Sequence, residues 1–269
     1  MWQWDIVPVM LAVGALSGLT AGLFGVGGGL VLVPAMLWIF QLQGWEGAHS
    51  QHVAIGTAFA VMVCTTLSGV WAQHKRQAVD WKTVGLMVPG MVCGTLAGSM
   101  VAKYLPNDVL QVFFIVFAVA MAVKVLADVK PKPSRSLPNK AALAGIGGVF
   151  GMVSSWVGIG GGSLSVPFLL YCNVPVHRAV GTSSGLAWPI ALAGALGYLV
   201  AGWYVEGLPD GTLGFWYLPA VAILGATTVL FAPVGVKLAH RLPDKRLKQA
   251  FGCLLLFIAL RMLWRMWTE

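Results

Sequence analysis

Charged side chains are scarce in this 269-residue sequence, only 10% of the total. A soluble domain carries about 25% and needs them to cover its surface. With 58% hydrophobic residues and a mean hydropathy of +0.82, that scarcity excludes a single soluble domain. Cysteine is scarce as well. Cys64, Cys93, Cys172 and Cys253 show no CxxC spacing, so they read as small buried hydrophobes, with neither a disulfide framework nor a metal site implied. The sequence has no H-E-x-x-H pair, no Walker A loop and no soluble domain to hold ATP, and no cofactor is expected. Its first residues, Met-Trp-Gln-Trp-Asp, lack the basic region of a cleavable signal peptide, so the first apolar stretch is read as part of the mature protein.

Long apolar runs are what the chain has in abundance. A membrane-spanning helix needs roughly 20 apolar residues, and the sequence breaks into ten apolar segments. They run approximately over 5–24, 30–40, 51–72, 83–104 and 109–128, then 141–157, 163–172, 178–203, 213–239 and 248–265. The expected fold class is an all-α, polytopic transmembrane bundle, with the lipid bilayer as its solvent. The net charge of +8 does not point to nucleic acid, because the basic residues sit in the short connections between these segments.

The ten segments form two fives. Gly25-Val-Gly-Gly-Gly-Leu-Val-Leu-Val-Pro34 recurs as Gly158-Ile-Gly-Gly-Gly-Ser-Leu-Ser-Val-Pro167, 133 residues on. His52-Val-Ala-Ile-Gly-Thr57 recurs as His177-Arg-Ala-Val-Gly-Thr182, and Leu105-Pro-Asn-Asp-Val-Leu110 as Leu242-Pro-Asp-Lys-Arg-Leu247. Three matches in the same order imply a duplication: a first repeat over 1–129, a linker over 130–140 and a second repeat over 141–269.

The basic residues decide how the halves are oriented. If the first two segments of each half form a hairpin, the halves are inverted. With the 130–140 linker in the cytoplasm, 14 of the 17 Lys and Arg then lie inside, all but Lys103, Arg261 and Arg265. If those segments form one broken crossing, the halves are parallel. Arg178, Lys237, Arg241, Lys245, Arg246 and Lys248 then move outside with Lys103, and the bias falls to ten against seven. The inverted arrangement is therefore expected, with both termini outside.

Inverted repeats with interrupted helices are a recurring transporter design, and paired glycine-broken segments are its pointer to the binding site. Gly25, Gly27, Gly28 and Gly29, and their counterparts Gly158, Gly160, Gly161 and Gly162, cannot hold a helix, since each glycine costs about 1 kcal/mol relative to alanine. Each opening starts a new helix whose free N–H groups and dipole favour an anion. The other reading of these glycines is close helix packing. Ser163 and Ser165 replace Leu30 and Leu32, so the second turn offers two hydroxyls where the first offers none.

At these residues the chain resembles the sulfite exporter TauE/SafE family, also called the toluene-sulfonate uptake permease group. The likeness covers the whole chain, with a GxGGG-(x)4-P element near the start of each half. The resemblance implies a bacterial inner-membrane permease, usually drawn with about eight spans. It implies a small sulfur-containing anion, sulfite or an organosulfonate, as substrate, with the glycine elements and Pro34 and Pro167 carried over.

Other residues admit two readings each. Thr57 and Thr182, Ser183 and Ser184 offer hydroxyls to a sulfonate or to a neighbouring helix. His52 and His177 stand at equivalent segment starts, as polar anchors or as carriers of a coupled proton. Among the twelve tryptophans, read mostly as interface belts or packing, Trp156, immediately before the second turn, and Trp188 are the two candidates to line a pathway. Gly181-Thr-Ser-Ser-Gly185 matches the G-x-S-x-G pattern of an intramembrane serine hydrolase, but an apolar segment lacks the strand-to-helix context the pattern requires. A passive anion channel is the remaining alternative to a secondary transporter. With no ATP motif, the available drive is a proton or the membrane potential; the potential, worth about 2.3 kcal/mol per charge at 100 mV, favours anion export.

Overall fold

A computed structural model describes residues 6–24, 27–45, 47–127, 137–239 and 244–268. Ten helices follow the ten apolar segments: α1 (Val7–Phe24), α2 (Gly29–Leu42), α3 (Ser50–Lys75), α4 (Trp81–Ala102), α5 (Asn107–Leu126), α6 (Lys140–Val157), α7 (Gly162–Tyr171), α8 (Val176–Ala201), α9 (Leu218–Ala239) and α10 (Asp244–Thr268). Six of them, α3, α4, α5, α6, α8 and α9, are long and apolar enough to cross a membrane.

Their ends have local causes. The Asp80 carboxylate accepts from the amides of Lys82 and Thr83 and from the Thr83 hydroxyl, which stops fraying at the start of α4. Burial works against its charge, but these donors and the nearby Arg178 outweigh it and hold the carboxyl below its usual value. Asn139 caps α6 through the amide of Ala142. Pro106 and Pro175 stand immediately before α5 and α8.

One stretch departs from the expected helices. Residues 213–217 form part of a two-stranded hairpin, β1 (Thr212–Leu213) against β2 (Trp216–Tyr217). Gly211 (φ 86°) and Gly214 (φ 54°) take left-handed backbone there, which a continuing helix cannot accommodate. α9 therefore begins at Leu218 rather than near 213.

The helices pair across the halves. α1 packs along α9 and α6 along α4, while α3 packs against α8 and α5 against α10. Glycine makes the first two pairs close. A Cβ on Gly90, Gly94 or Gly151 would strike the backbone carbonyl of Ala144, Gly148 or Met91, and one on Gly235 would strike that of Leu19. The contacts advance together along both helices, Gly90 to Ala144 and Gly98 to Met152, so α4 and α6 run the same way. So do α1 and α9, where Gly14 meets Leu224 and Gly18 meets Phe231. α3 and α8 run oppositely, Gly56 lying against Tyr198 and Gly194 against Phe59. These two helices are the centre: 67% of each apolar window is buried, against 28% for α5.

Candidate functional site

Both repeated glycine elements break a helix. α1 ends at Phe24 and α2 starts at Gly29, with Gly27 (φ 78°) and Gly28 (φ 83°) between them in left-handed backbone. Gly25 lies outside the described residues. The Ser17 hydroxyl of α1 donates to the Gly28 carbonyl at 3.3 Å. In the second half Gly158 (φ 77°) ends α6 and Gly161 (φ 72°) precedes α7.

The two breaks, 133 residues apart, meet. A Cβ on Gly29 would fall on the carbonyl oxygen of Gly158, and one on Gly27 would lie 3.9 Å from the Cα of Gly160. Met62 and Thr66 of α3 border Gly27, while Val33 and Ile55 border Gly158. The first intrahelical bonds come from Val31 and Leu32 to Gly28 O, and from Leu164 and Ser165 to Gly161 O. The amides of Gly29, Leu30, Gly162 and Ser163 precede them at the helix N-termini and donate to no carbonyl among the described residues.

Hydroxyls gather at the second break. Ser163 is 4% exposed, Ser154 is fully buried, and neither hydroxyl has a partner among the described residues. The Ser154 Oγ lies 3.7 Å from where a Gly161 Cβ would sit. Ser165 donates to the Gly161 carbonyl at 2.9 Å and pairs with Ser183 at 2.8 Å. On α8, the indole N–H of Trp188 is also buried without a partner among the described residues. Leaving a buried polar atom unpaired costs about 1–3 kcal/mol, so these donors are poised for something that accepts. No Asp, Glu, Lys or Arg is buried among the described residues. The arrangement can hold an anion by neutral donors and helix dipoles alone.

Other expected residues are engaged elsewhere. Thr182 accepts the amide of Asp80, and Thr57 accepts the amide of Tyr217, both at 3.0 Å. Beside them, Gly181 takes the backbone of Ala78, and Gly56 that of Phe215. The recurring Gly-Thr pair thus docks the loop ahead of α4 on α8, and the loop ahead of α9 on α3. Ser184 donates to the Val180 carbonyl at 3.0 Å, and Trp156 to that of Gly98, also at 3.0 Å. His52 is fully buried with Nε2 at 2.8 Å from the Ala102 carbonyl, whereas His177 is exposed. Gly181 to Gly185 lie inside α8, not at a strand-to-helix turn.

Ser154 is the site residue that motif matching passes over. The recurring glycine element carries its signal: at the offset of 133, Ser154 stands opposite Ala21, as Ser163 stands opposite Leu30. A cavity of about 460 Å³ lies elsewhere, between α1, α2, α5 and α10. Its lining is mostly apolar, with Leu16, Trp38 and Phe257, and also includes Gln111 and Arg261.

Residues 10–262 match the family profile described as Sulfite exporter TauE/SafE. The chain is 31% identical to a probable membrane transporter protein of Haemophilus influenzae over 263 residues, covering 97% of this chain and 99% of that one. It is 26% identical to a probable membrane transporter protein of Methanocaldococcus jannaschii, covering 96% of each. A third such protein, from Bacillus subtilis, is 27% identical over 72% of this chain and 78% of its own. No solved structure matches.

Proposed function

The chain belongs to the sulfite exporter TauE/SafE family and is a multi-pass membrane transporter, not an enzyme; from that premise we propose that it exports a small sulfur-containing anion, such as sulfite or an organosulfonate. The anion is held where the two glycine turns meet, nearer the second. The observation that carries this reading is the contact of Gly27 and Gly29 with Gly160 and Gly158, beside the unpartnered hydroxyls of Ser154 and Ser163.

Two inverted repeats, 1–129 and 141–269, build the carrier, joined by a cytoplasmic linker over 130–140 in the cytoplasmic membrane. The pairing of helices supports this. α1 and α9 run with α3, where Thr57 meets Tyr217 and Thr65 meets Thr228. α4 and α6 run with α8, where Asp80 meets Thr182 and Ser99 meets Gly197. Because α3 and α8 are opposed, α1 is opposed to α6 and α4 to α9, which supports the inverted reading. On this reading α1–α2 and α6–α7 are re-entrant hairpins entering from opposite faces, both termini are outside, and rocking of one half on the other alternates access.

The direct test is flux in proteoliposomes. Labelled sulfite and a small labelled sulfonate should cross with saturable kinetics, faster than sulfate or chloride. Equal, non-saturating passage of all four anions would overturn the transporter reading in favour of a channel. No passage of either sulfur anion would remove the substrate class.

A further inference from the structure

The start of α3 holds four buried hydrogen-bonding atoms with no partner among the described residues. They are the amide oxygen and nitrogen of Gln51, which is fully buried, and Nδ1 of His49 and His52. The Gln51 backbone N–H donates to Asn107 Oδ1 at 2.8 Å, and the Asn107 amide donates to the Ser50 hydroxyl at 2.9 Å. A carbonyl only accepts, so Nε2 of His52 carries the proton facing Ala102, and Nδ1 of the neutral ring presents a lone pair. Four buried atoms within one turn without a partner among the described residues cost more than packing needs, which points to a second state in which they are paired.

Their place suggests the partner. Gln51, Ile55 and Met62 share one face of α3 by helical spacing. Ile55 borders Gly158, and Met62 borders Gly27 and Gly29, so Gln51 stands on the strip leading from the glycine junction to the end of the bundle. Phe215, in the turn between β1 and β2, closes that end. It is fully buried, with its ring centroid 5.3 Å from His52 and 5.7 Å from His49. The corresponding loop ahead of α4 presents Ala78 to Gly181, where the loop ahead of α9 presents Phe215 to Gly56.

We propose that Gln51, with His49 and His52, forms a second polar station for a hydrated small oxyanion at the extracytoplasmic end, shut in this conformation by Phe215. The Gln51 amide donates to the anion, and the bare Nδ1 of His52 accepts from its water. The proposal rests on the transport reading above, but its test needs no substrate.

Single cysteines are placed at Gln51, at Val53 (equally buried, at the same depth, on another face) and at Tyr204, 88% exposed. Each is treated from outside with the impermeant reagent methanethiosulfonate ethylsulfonate, and the reaction of the parent chain is subtracted. Gln51→Cys should react about tenfold faster than Val53→Cys, because the open state is sampled, and faster still with Phe215→Ala. Ile55→Cys, one turn deeper on the same face, carries the same test if Gln51→Cys does not insert. Reaction no faster than at Val53→Cys, with or without Phe215, or only from the cytoplasmic side, would overturn the station. Such a result leaves the central site untouched, whereas loss of flux with normal labelling strikes the central site alone.

Discussion

Gly161→Val is expected to reach the membrane in normal amount and to lose transport. Gly161 holds φ 72°, where a residue with a Cβ is strained by roughly 1–2 kcal/mol and a β-branched one is a genuine outlier. The added Cβ would also strike Cδ1 of Ile190 and fill the space beside Ser154. Relief requires the turn to move, which displaces the first amides of α7 and Ser163 together. Since every 1.4 kcal/mol is a factor of ten, flux per inserted molecule should fall by at least about tenfold. The insertion signals lie in the apolar segments and the basic loops, which the substitution leaves alone. Flux in proteoliposomes, normalised to reconstituted protein, measures it. Normal flux from a well-inserted variant would remove the second turn from the site.

Gly94→Leu is expected to fail earlier, by preventing the bundle from assembling. In lipid there is no hydrophobic drive between helices, so close packing of small residues holds them together. At Gly94 a Cβ would sit on the Gly148 carbonyl, one turn from the equally tight Gly90 and Gly98. Overpacking a well-packed core costs about 1–3 kcal/mol, and here the obstacle is helix backbone, which cannot rotate away. The variant should yield little monodisperse protein after extraction. Gly85→Leu, on the same helix but exposed with open space at its Cβ, should behave as the parent. Equal yields from both variants would show that α4 and α6 are not held by this seam.

The same two substitutions separate what a sequence carries openly from what it does not. Apolar runs bounded by basic or Gly-Pro connections are set by the bilayer's thickness, so helix positions were legible within a few residues. The glycine turns were legible because left-handed backbone and close approach both demand glycine, and the duplication repeats the demand. Long-range pairing was not. Nothing local in Gly90 or Gly94 says that the partner is α6, because the contact is backbone to backbone across the halves. The repeated Gly-Thr pair read as a ligand or a packing element, with packing favoured at Thr57; in the structure both hydroxyls accept backbone amides, those of Asp80 and Tyr217. His52 and His177 occupy matching positions yet differ in burial, because only the loop facing His52 brings an aromatic ring, Phe215, to cover it. The hairpin at 212–217 hid in an apolar run, where hydropathy outweighed the turn signal of Gly211 and Gly214.

The central claim is that a small sulfur anion binds where the two glycine turns meet. Thermal unfolding of the purified protein tests it most directly, with sulfite, a small sulfonate, sulfate and chloride each added to the parent, to Ser163→Ala and to Ser154→Ala. A ligand that binds the folded state raises Tm by mass action, by about 2.7 kcal/mol of stabilisation at a hundredfold excess over Kd. The account predicts a rise with sulfite or the sulfonate, a smaller one or none with sulfate and chloride, and a weakened rise in both serine variants. A rise of undiminished size in both variants, or none from any sulfur anion, would contradict it.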